Sequence, residues 1–386
     1  MRNIDIRNVS LVTIYYGFLK MSLYGIYTYF TLFLFYIGYQ YSEIGLVFAI
    51  GAIGMLFGNY LGGFLADKLG RKFPLFLSSL VISLALYLFS VFTTFLYVVI
   101  SYFLFDIGQT LCISSLNAIL GESVDKEFHQ KISAISYGVS TVSGVISIGL
   151  LIMALYKNPL QKVMNEFFTL TSILTLILIL ITALIKETYR GEQERNVGSE
   201  KVSIFSILTG LRLKFLLLMS LIFFSFPTFW VLLSVYANIE VGVSLIEWGI
   251  IAAIWFIVYS PIQTIMSKFT EKINPSIGFL ASGILFSLSA ILISLKLGFF
   301  LFVIAIILEV ICESILWPIV FKVEMMLTRE EFRGRYIGLV NSMGSAMMSL
   351  GNFAGSNLYY IKPELPILSA MIIFLTTSIT LSKQFK

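Results

Sequence analysis

Four charged residues lie inside long apolar runs of this chain: Lys20, Asp106, Glu309 and Glu313. A charge placed in hydrocarbon costs about 2.5 to 3.5 kcal/mol on insertion scales, so such residues are rare without a purpose. Glu313 follows Glu309 by four positions, which puts both carboxyl groups on one face of a helix. An acid in such surroundings takes up and releases a proton as water reaches it, which is the chemistry proton coupling requires. Glu309 is the expected coupling acid, with Glu313 its partner or a substrate contact. Lys20 and Asp106 have a second reading as a buried structural ion pair, of little net energy but intolerant of losing one member. Gln109, Asn117, Trp230 and Tyr236 lie in the same kind of run and are candidate substrate contacts or interhelical glue. The two cysteines, Cys112 and Cys312, sit in apolar runs, and the single histidine, His129, sits in a charged loop. That leaves no disulfide framework, metal centre or cofactor site. No nucleophile elbow or phosphate loop appears, so an enzyme is not expected.

The elements that hold these residues follow from composition. The 386 residues are 58% apolar and 12% charged, against about a quarter charged in soluble proteins. A helical crossing takes about 20 apolar residues, and the runs supply twelve. They are expected at 10–36, 43–66, 74–92, 96–120, 131–156, 164–186, 214–237, 247–267, 277–295, 298–321, 336–360 and 364–382. One polar stretch, 188–203, divides them into six-helix bundles at 1–187 and 204–386. Lys20, Asp106 and Glu309 then lie near mid-depth, about 15 Å in. Pro227 should kink the seventh crossing mid-membrane by removing a backbone hydrogen bond.

Of the 26 lysines and arginines, Lys20 is intramembrane and only Lys157, Lys162, Lys296 and Lys362 fall in loops on the far side from the N-terminus. Positively charged loops stay inside, so both termini and the linker are expected in the cytoplasm. The formal net charge of +5 is then a product of membrane orientation and not a nucleic-acid signal. The first apolar run is too long for a cleavable signal, so none is expected. The aromatic residues, 15% of the chain, are expected mostly to face lipid.

Between the second and third crossings stands Gly63-Phe-Leu-Ala-Asp67-Lys68-Leu-Gly70-Arg71-Lys72. A weaker copy, Ser267-Lys-Phe-Thr-Glu271-Lys272-Ile-Asn-Pro-Ser276, follows in the second half. At the same offset Lys126-Glu127-Phe128 with Lys131 answers Glu330-Glu331-Phe332 with Arg335, the mark of a duplicated bundle. Asp67 ends a helix, where a carboxylate is disfavoured by the helix dipole and needs another partner.

Twelve crossings as six plus six, with this loop signature, resemble the major facilitator superfamily (MFS) of secondary transporters. The resemblance implies an all-α integral membrane fold of two pseudo-symmetric six-helix bundles, with crossings 1, 4, 7 and 10 lining the cavity. It also implies that Asp67 meets the eleventh crossing near Gly334, that Arg71 pairs with Glu122, and that Glu271 faces the start of the fifth crossing near His129 to Lys131. Gly63 would let the second crossing approach its neighbour closely, and Gly138, Gly144, Gly149, Gly338, Gly344, Gly351 and Gly355 would serve packing. The family's frequent arginine in the fourth crossing is missing. So is a Gly-Pro pair in the fifth, where Ser143-Gly144-Val145 stands. The expected protein is a monomeric multi-pass carrier in the cell membrane. It would move a small organic solute, with protons, by alternating access. An efflux antiporter of the same fold and a non-transporting membrane sensor are the alternatives.

Overall fold

The computed structural model describes residues 5–125, 128–188, 208–329 and 332–386. Most of the expected linker and the pairs Lys126-Glu127 and Glu330-Glu331 lie outside the described residues. Regular structure among those described is helical throughout. The first half contains α1 (Ile6–Tyr36), α2 (Tyr41–Lys68), α3 (Lys72–Val91), α4 (Phe95–Leu111), α5 (Ile113–Glu122), α6 (His129–Leu155) and α7 (Leu160–Leu184). The second contains α8 (Gly210–Trp230), α9 (Leu233–Ile239), α10 (Leu245–Thr270), α11 (Pro275–Ser294), α12 (Phe299–Leu327), α13 (Arg333–Ile361) and α14 (Leu365–Gln384).

Among the described residues eleven spans are long and apolar enough to cross a membrane, with α4 and α5 forming one and α8 and α9 another. The twelfth crossing is α13, whose glycines, serines and asparagines keep it less apolar. At 29 residues it is still about 43 Å long, more than the hydrocarbon thickness.

Contacts divide the chain into two units, Met1–Arg195 and Asn196–Lys386. In the first, α2 runs along α4, α1 along α6 and α3 along α7, while α3–α4 and α1–α7 contacts close the bundle. In the second, α10 runs along α12, α8 along α13 and α11 along α14, closed by α11–α12 and α8–α14. Each main pairing recurs between corresponding crossings, so the pseudo-symmetry read from the loop motifs extends to the packing.

A subset of the aromatic rings fills both bundle centres. In the first unit Phe30 stacks on Tyr102 at 5.1 Å and touches Phe89 and Phe168. In the second Phe286 stacks on Phe374 at 4.3 Å beside Phe226 and Phe229. Without a hydrophobic force between helices in lipid, such close ring contacts are what hold a membrane bundle together. Leu84, Leu180, Leu217 and Ile277 are left exposed on bundle exteriors, as a hydrocarbon solvent permits.

Small residues set the closest helix approach. Gly51, Gly54, Gly58 and Gly62 form a ridge on α2, and a Cβ on them would strike α4. At Gly54 the obstacle is the Phe103 carbonyl at 2.7 Å, at Gly58 the Ile107 carbonyl at 2.5 Å and at Gly62 the Leu111 carbonyl. Gly63 is not part of this ridge: a Cβ there meets nothing within 4 Å among the described residues. The motif glycine lies one position, about 100° around the helix, off the ridge. Gly144, Gly344, Gly351 and Gly355 do sit against neighbouring helices, whereas Gly138, Gly149 and Gly338 face open space.

The seventh crossing does break, but past its expected midpoint. Helix α8 contains Pro227, ends at Trp230, and resumes as α9 at Leu233. Pro261 and Pro318 sit inside unbroken α10 and α12, so proline alone does not dictate an interruption.

Beyond α9, Lys296 in the α11–α12 turn reaches Glu240 and Glu364, each at 2.6 Å. The hydrogen bond to Glu240, then that to Glu364, pushes the Lys296 pKa above the ordinary lysine range. The same lysine holds the Glu364 carboxyl below its ordinary value. A lowered carboxylate contributes stability above its unfolded pKa and loses it as pH falls through the folded value. A raised lysine contributes below its unfolded pKa and loses it as pH rises through the folded value. The clamp should therefore add constant stability from about pH 5 to about pH 9.5. Lys296→Met should lower the melting temperature most near neutral pH, where two carboxylates are left side by side. The deficit should shrink as pH falls below about 4 toward about 3, through the lowered carboxylate value; a deficit equal at about pH 7 and about pH 3 would show that the ion pairs contribute nothing.

Candidate functional site

The first unit carries its polar intramembrane groups on one face of α1 and on the α4–α5 crossing. Tyr16, Lys20, Tyr24 and Tyr27 recur at spacings of four, four and three, one stripe of a helix. The Lys20 ammonium lies 5.2 Å from the centroid of the Tyr24 ring and 5.2 Å from that of Tyr137 on α6. Among the described residues no carboxylate comes within 4 Å of it. The ion pair with Asp106 is not formed.

Asp106 is instead packed at the α2–α4 interface, 1% exposed, against Gly51 and Tyr102. Its carboxylate accepts a hydrogen bond from Gln109 Nε2. The Gln109 Oε1 in turn accepts from the Tyr27 hydroxyl at 2.7 Å. Asp106 thus orients Gln109 and Tyr27, and Tyr27 is the member of this chain that is substantially exposed. Asn117 accepts a hydrogen bond from Tyr16 at 2.7 Å, beyond Lys20 on the motif side.

In the second unit Glu309 of α12 is fully buried and both its oxygens are engaged. Trp230 Nε1 donates to Oε1 at 3.2 Å and Trp255 Nε1, from α10, donates to Oε2 at 2.9 Å. The two indoles meet edge to face at 6.2 Å, and Tyr259 stacks on Trp255 at 4.9 Å. Glu313 follows one turn on, on the same face of α12, and is half-buried. Tyr236 lies elsewhere: it is buried beside Lys296 and the Ile293 carbonyl, at the loop-side clamp.

On the motif side of the first unit Arg71 joins Asp67 at 3.4 Å and Glu122 at 3.2 Å, as the Arg71–Glu122 expectation required. Glu187, at the end of the sixth crossing, was not foreseen. Its carboxylate accepts from the backbone N–H groups of Arg71 and Lys72 at 3.0 and 3.1 Å, the positive start of α3. Gly70 makes room, with φ +92°, and a Cβ there would lie 2.7 Å from Glu187 Oε2. Lys72 donates to the Ala183 carbonyl, and Lys68 lies over the Phe64 ring. In the second unit the corresponding loop is held differently. Lys322 of α12 donates to the Glu271 and Ile273 carbonyls at 3.0 Å each, and the Glu271 and Lys272 backbones close the end of α10.

A family model described as Major Facilitator Superfamily matches residues 11–351. The chain belongs to this superfamily. Comparison with curated protein sequences finds no match. Among solved structures, a mutant of the nucleoside transporter NupG aligns at TM-score 0.80 with 16% identity, covering 98% of this chain and 99% of that one. A POT family transporter in complex with a thioalcohol-conjugated peptide aligns at 0.78 and 13%, covering 97% and 95%. A D-xylose-proton symporter aligns at 0.71 and 14%, covering 98% and 95%. At such identities the likeness establishes the MFS fold alone. Fold and superfamily together point to transport and not catalysis.

Trp255, Tyr27, Tyr137 and Glu187 complete these sites although no motif marked them. The spacing of the tyrosines around Lys20 was a usable signal for Tyr24 and Tyr27. For Trp255 and Tyr137, on separate helices, there was none.

Proposed function

We propose that this MFS protein is a proton-coupled carrier of a small organic solute, working by alternating access in the cell membrane with both termini cytoplasmic. The observation that carries the reading is the Glu309–Glu313 pair. Its inner member is locked by two indole N–H donors and its outer member is half-buried. A proton arriving from water reaches Glu313 first and passes to Glu309; leaving requires the indole contacts to shift. Protonation is thereby tied to the rotamers of Trp230 and Trp255, which belong to the seventh and eighth crossings. On the first half, Lys20 and Tyr27 are the solute-facing groups, with Gln109 and Asp106 buried behind Tyr27 to orient it. The loop residues Gly63, Asp67, Lys68, Gly70, Arg71, Lys72 and Glu122, with Glu271 and Lys272, form the gate. The carrier acts as a monomer and needs no cofactor.

The experiment is solute-dependent proton movement in proteoliposomes loaded with a pH dye. Nucleosides, dipeptides, pentoses and monocarboxylates are added in turn, the first three chosen because proteins of this fold carry them in their names. At least one class should change internal pH in protein-containing vesicles and not in empty ones. Solute uptake without any proton movement would overturn the coupling, and no uptake of any solute would overturn transport.

A further inference from the structure

We propose that Lys20, between Tyr24 and Tyr137, anchors the carboxylate of an organic monoanion. This deepens the transport reading of the same site and rests on it. An ammonium within a membrane span ordinarily has an acid beside it. Here the charge rests on the faces of two neutral rings at 5.2 Å each, which attract a cation but leave it uncompensated. The other intramembrane charge of this unit is committed: Asp106 is enclosed between α2 and α4 and holds Gln109. Among the described residues of this unit no other group balances the charge of Lys20, and that is left to a molecule from outside.

The place is built to receive one. Lys20 is half-buried and Tyr137 is 42% exposed, so the ammonium is reachable from one side. The Tyr24 ring is set by its neighbours. Tyr24 lies flat on Gly144, where any Cβ would strike it, and the hydroxyl of Tyr16 one turn away is spent on Asn117. Such preorganisation lowers the entropy lost on binding. The chemistry favours a carboxylate over a phosphate. A dianionic phosphate draws on guanidinium forks or helix N-termini, whereas a single ammonium matches one negative charge. The tyrosine walls suit a flat or apolar body attached to it.

The test is equilibrium binding to the purified full chain in detergent, with benzoate as probe and benzamide as its neutral counterpart. Benzoate should bind at least about tenfold more tightly than benzamide. Lys20→Met should weaken benzoate by about tenfold or more without affecting benzamide, and Lys20→Arg should stay within about threefold of wild type. Tyr137→Leu, which leaves the charge in place, should weaken benzoate severalfold, and it decides the matter together with the benzamide comparison if Lys20→Met does not fold. Equal affinity for the two probes, no binding of benzoate at millimolar concentration, or full affinity in Lys20→Met would each overturn the proposal. No gradient is involved, so a failure of proton coupling would leave this result untouched, and the reverse.

Discussion

Glu309→Gln is expected to lower proton-gradient-driven solute uptake into proteoliposomes by about 100-fold or more, while exchange of labelled for unlabelled solute at equal pH stays within about threefold of wild type. The substitution keeps the size of the side chain and removes the titrating oxygen. Exchange needs only binding and reorientation of the loaded carrier; net uptake against a gradient needs the proton. The amide also brings a local penalty. The carboxylate accepts from two indoles, but a glutamine has one oxygen, and its NH2 group faces an N–H of Trp230 or Trp255, donor against donor. A buried unpaired donor costs about 1 to 3 kcal/mol, so a lower melting temperature should accompany the transport defect. Trp255→Phe separates the two effects. It removes one indole donor, keeps the carboxyl, and should retain coupled uptake to within about tenfold. Coupled uptake at the wild-type level in Glu309→Gln would remove this residue from the mechanism.

The gross architecture was legible because hydrocarbon imposes one-dimensional rules. Length and apolarity mark a crossing, and observed helix ends fall within a few residues of the expected ones, except that α12 runs on to Leu327. Even α13 was found by its place in the six-plus-six pattern, although its composition is the least apolar. The Arg71–Glu122 contact was legible because it follows from the loop signature that the superfamily carries. What could not be read is what depends on rotation of a helix about its axis. Gly62 and Gly63 are chemically identical neighbours, and only the helix phase decides which abuts α4. Lys20 and Asp106 are both near mid-depth, yet Asp106 points between α2 and α4 while Lys20 points to the α6 tyrosine. Trp255 meets Glu309 because two helices far apart in sequence cross there, and nothing local announces it. Glu187 was read as the end of a domain, and its second role depends on the positive φ of Gly70 bringing the start of α3 to it.

The glycine phase gives the second large effect. Gly62→Val should prevent accumulation of folded protein, and Gly63→Val should leave it near wild type, judged by the monodisperse peak of a fluorescent fusion in detergent. At Gly62 a side chain would run into the Leu111 carbonyl and the backbone carbon behind it at 3.0 Å. Backbone atoms of a helix cannot swing aside as a side-chain tip can. The only relief is to separate α2 from α4, which also pulls the ridge away from Ile107 and Phe103. That separation sacrifices the dispersion contacts of an interface with no hydrophobic driving force behind it, a loss of several kcal/mol for a protein whose total margin is about 5 to 15 kcal/mol. At Gly63 a valine meets no described atom within 4 Å, so it adds hydrocarbon without forcing α2 away from α4. Folding should therefore separate these adjacent positions sharply. Equal damage from both substitutions would mean that Gly63 is also in close contact with a neighbour, and equal tolerance would mean that α2 and α4 pack more loosely than the ridge requires.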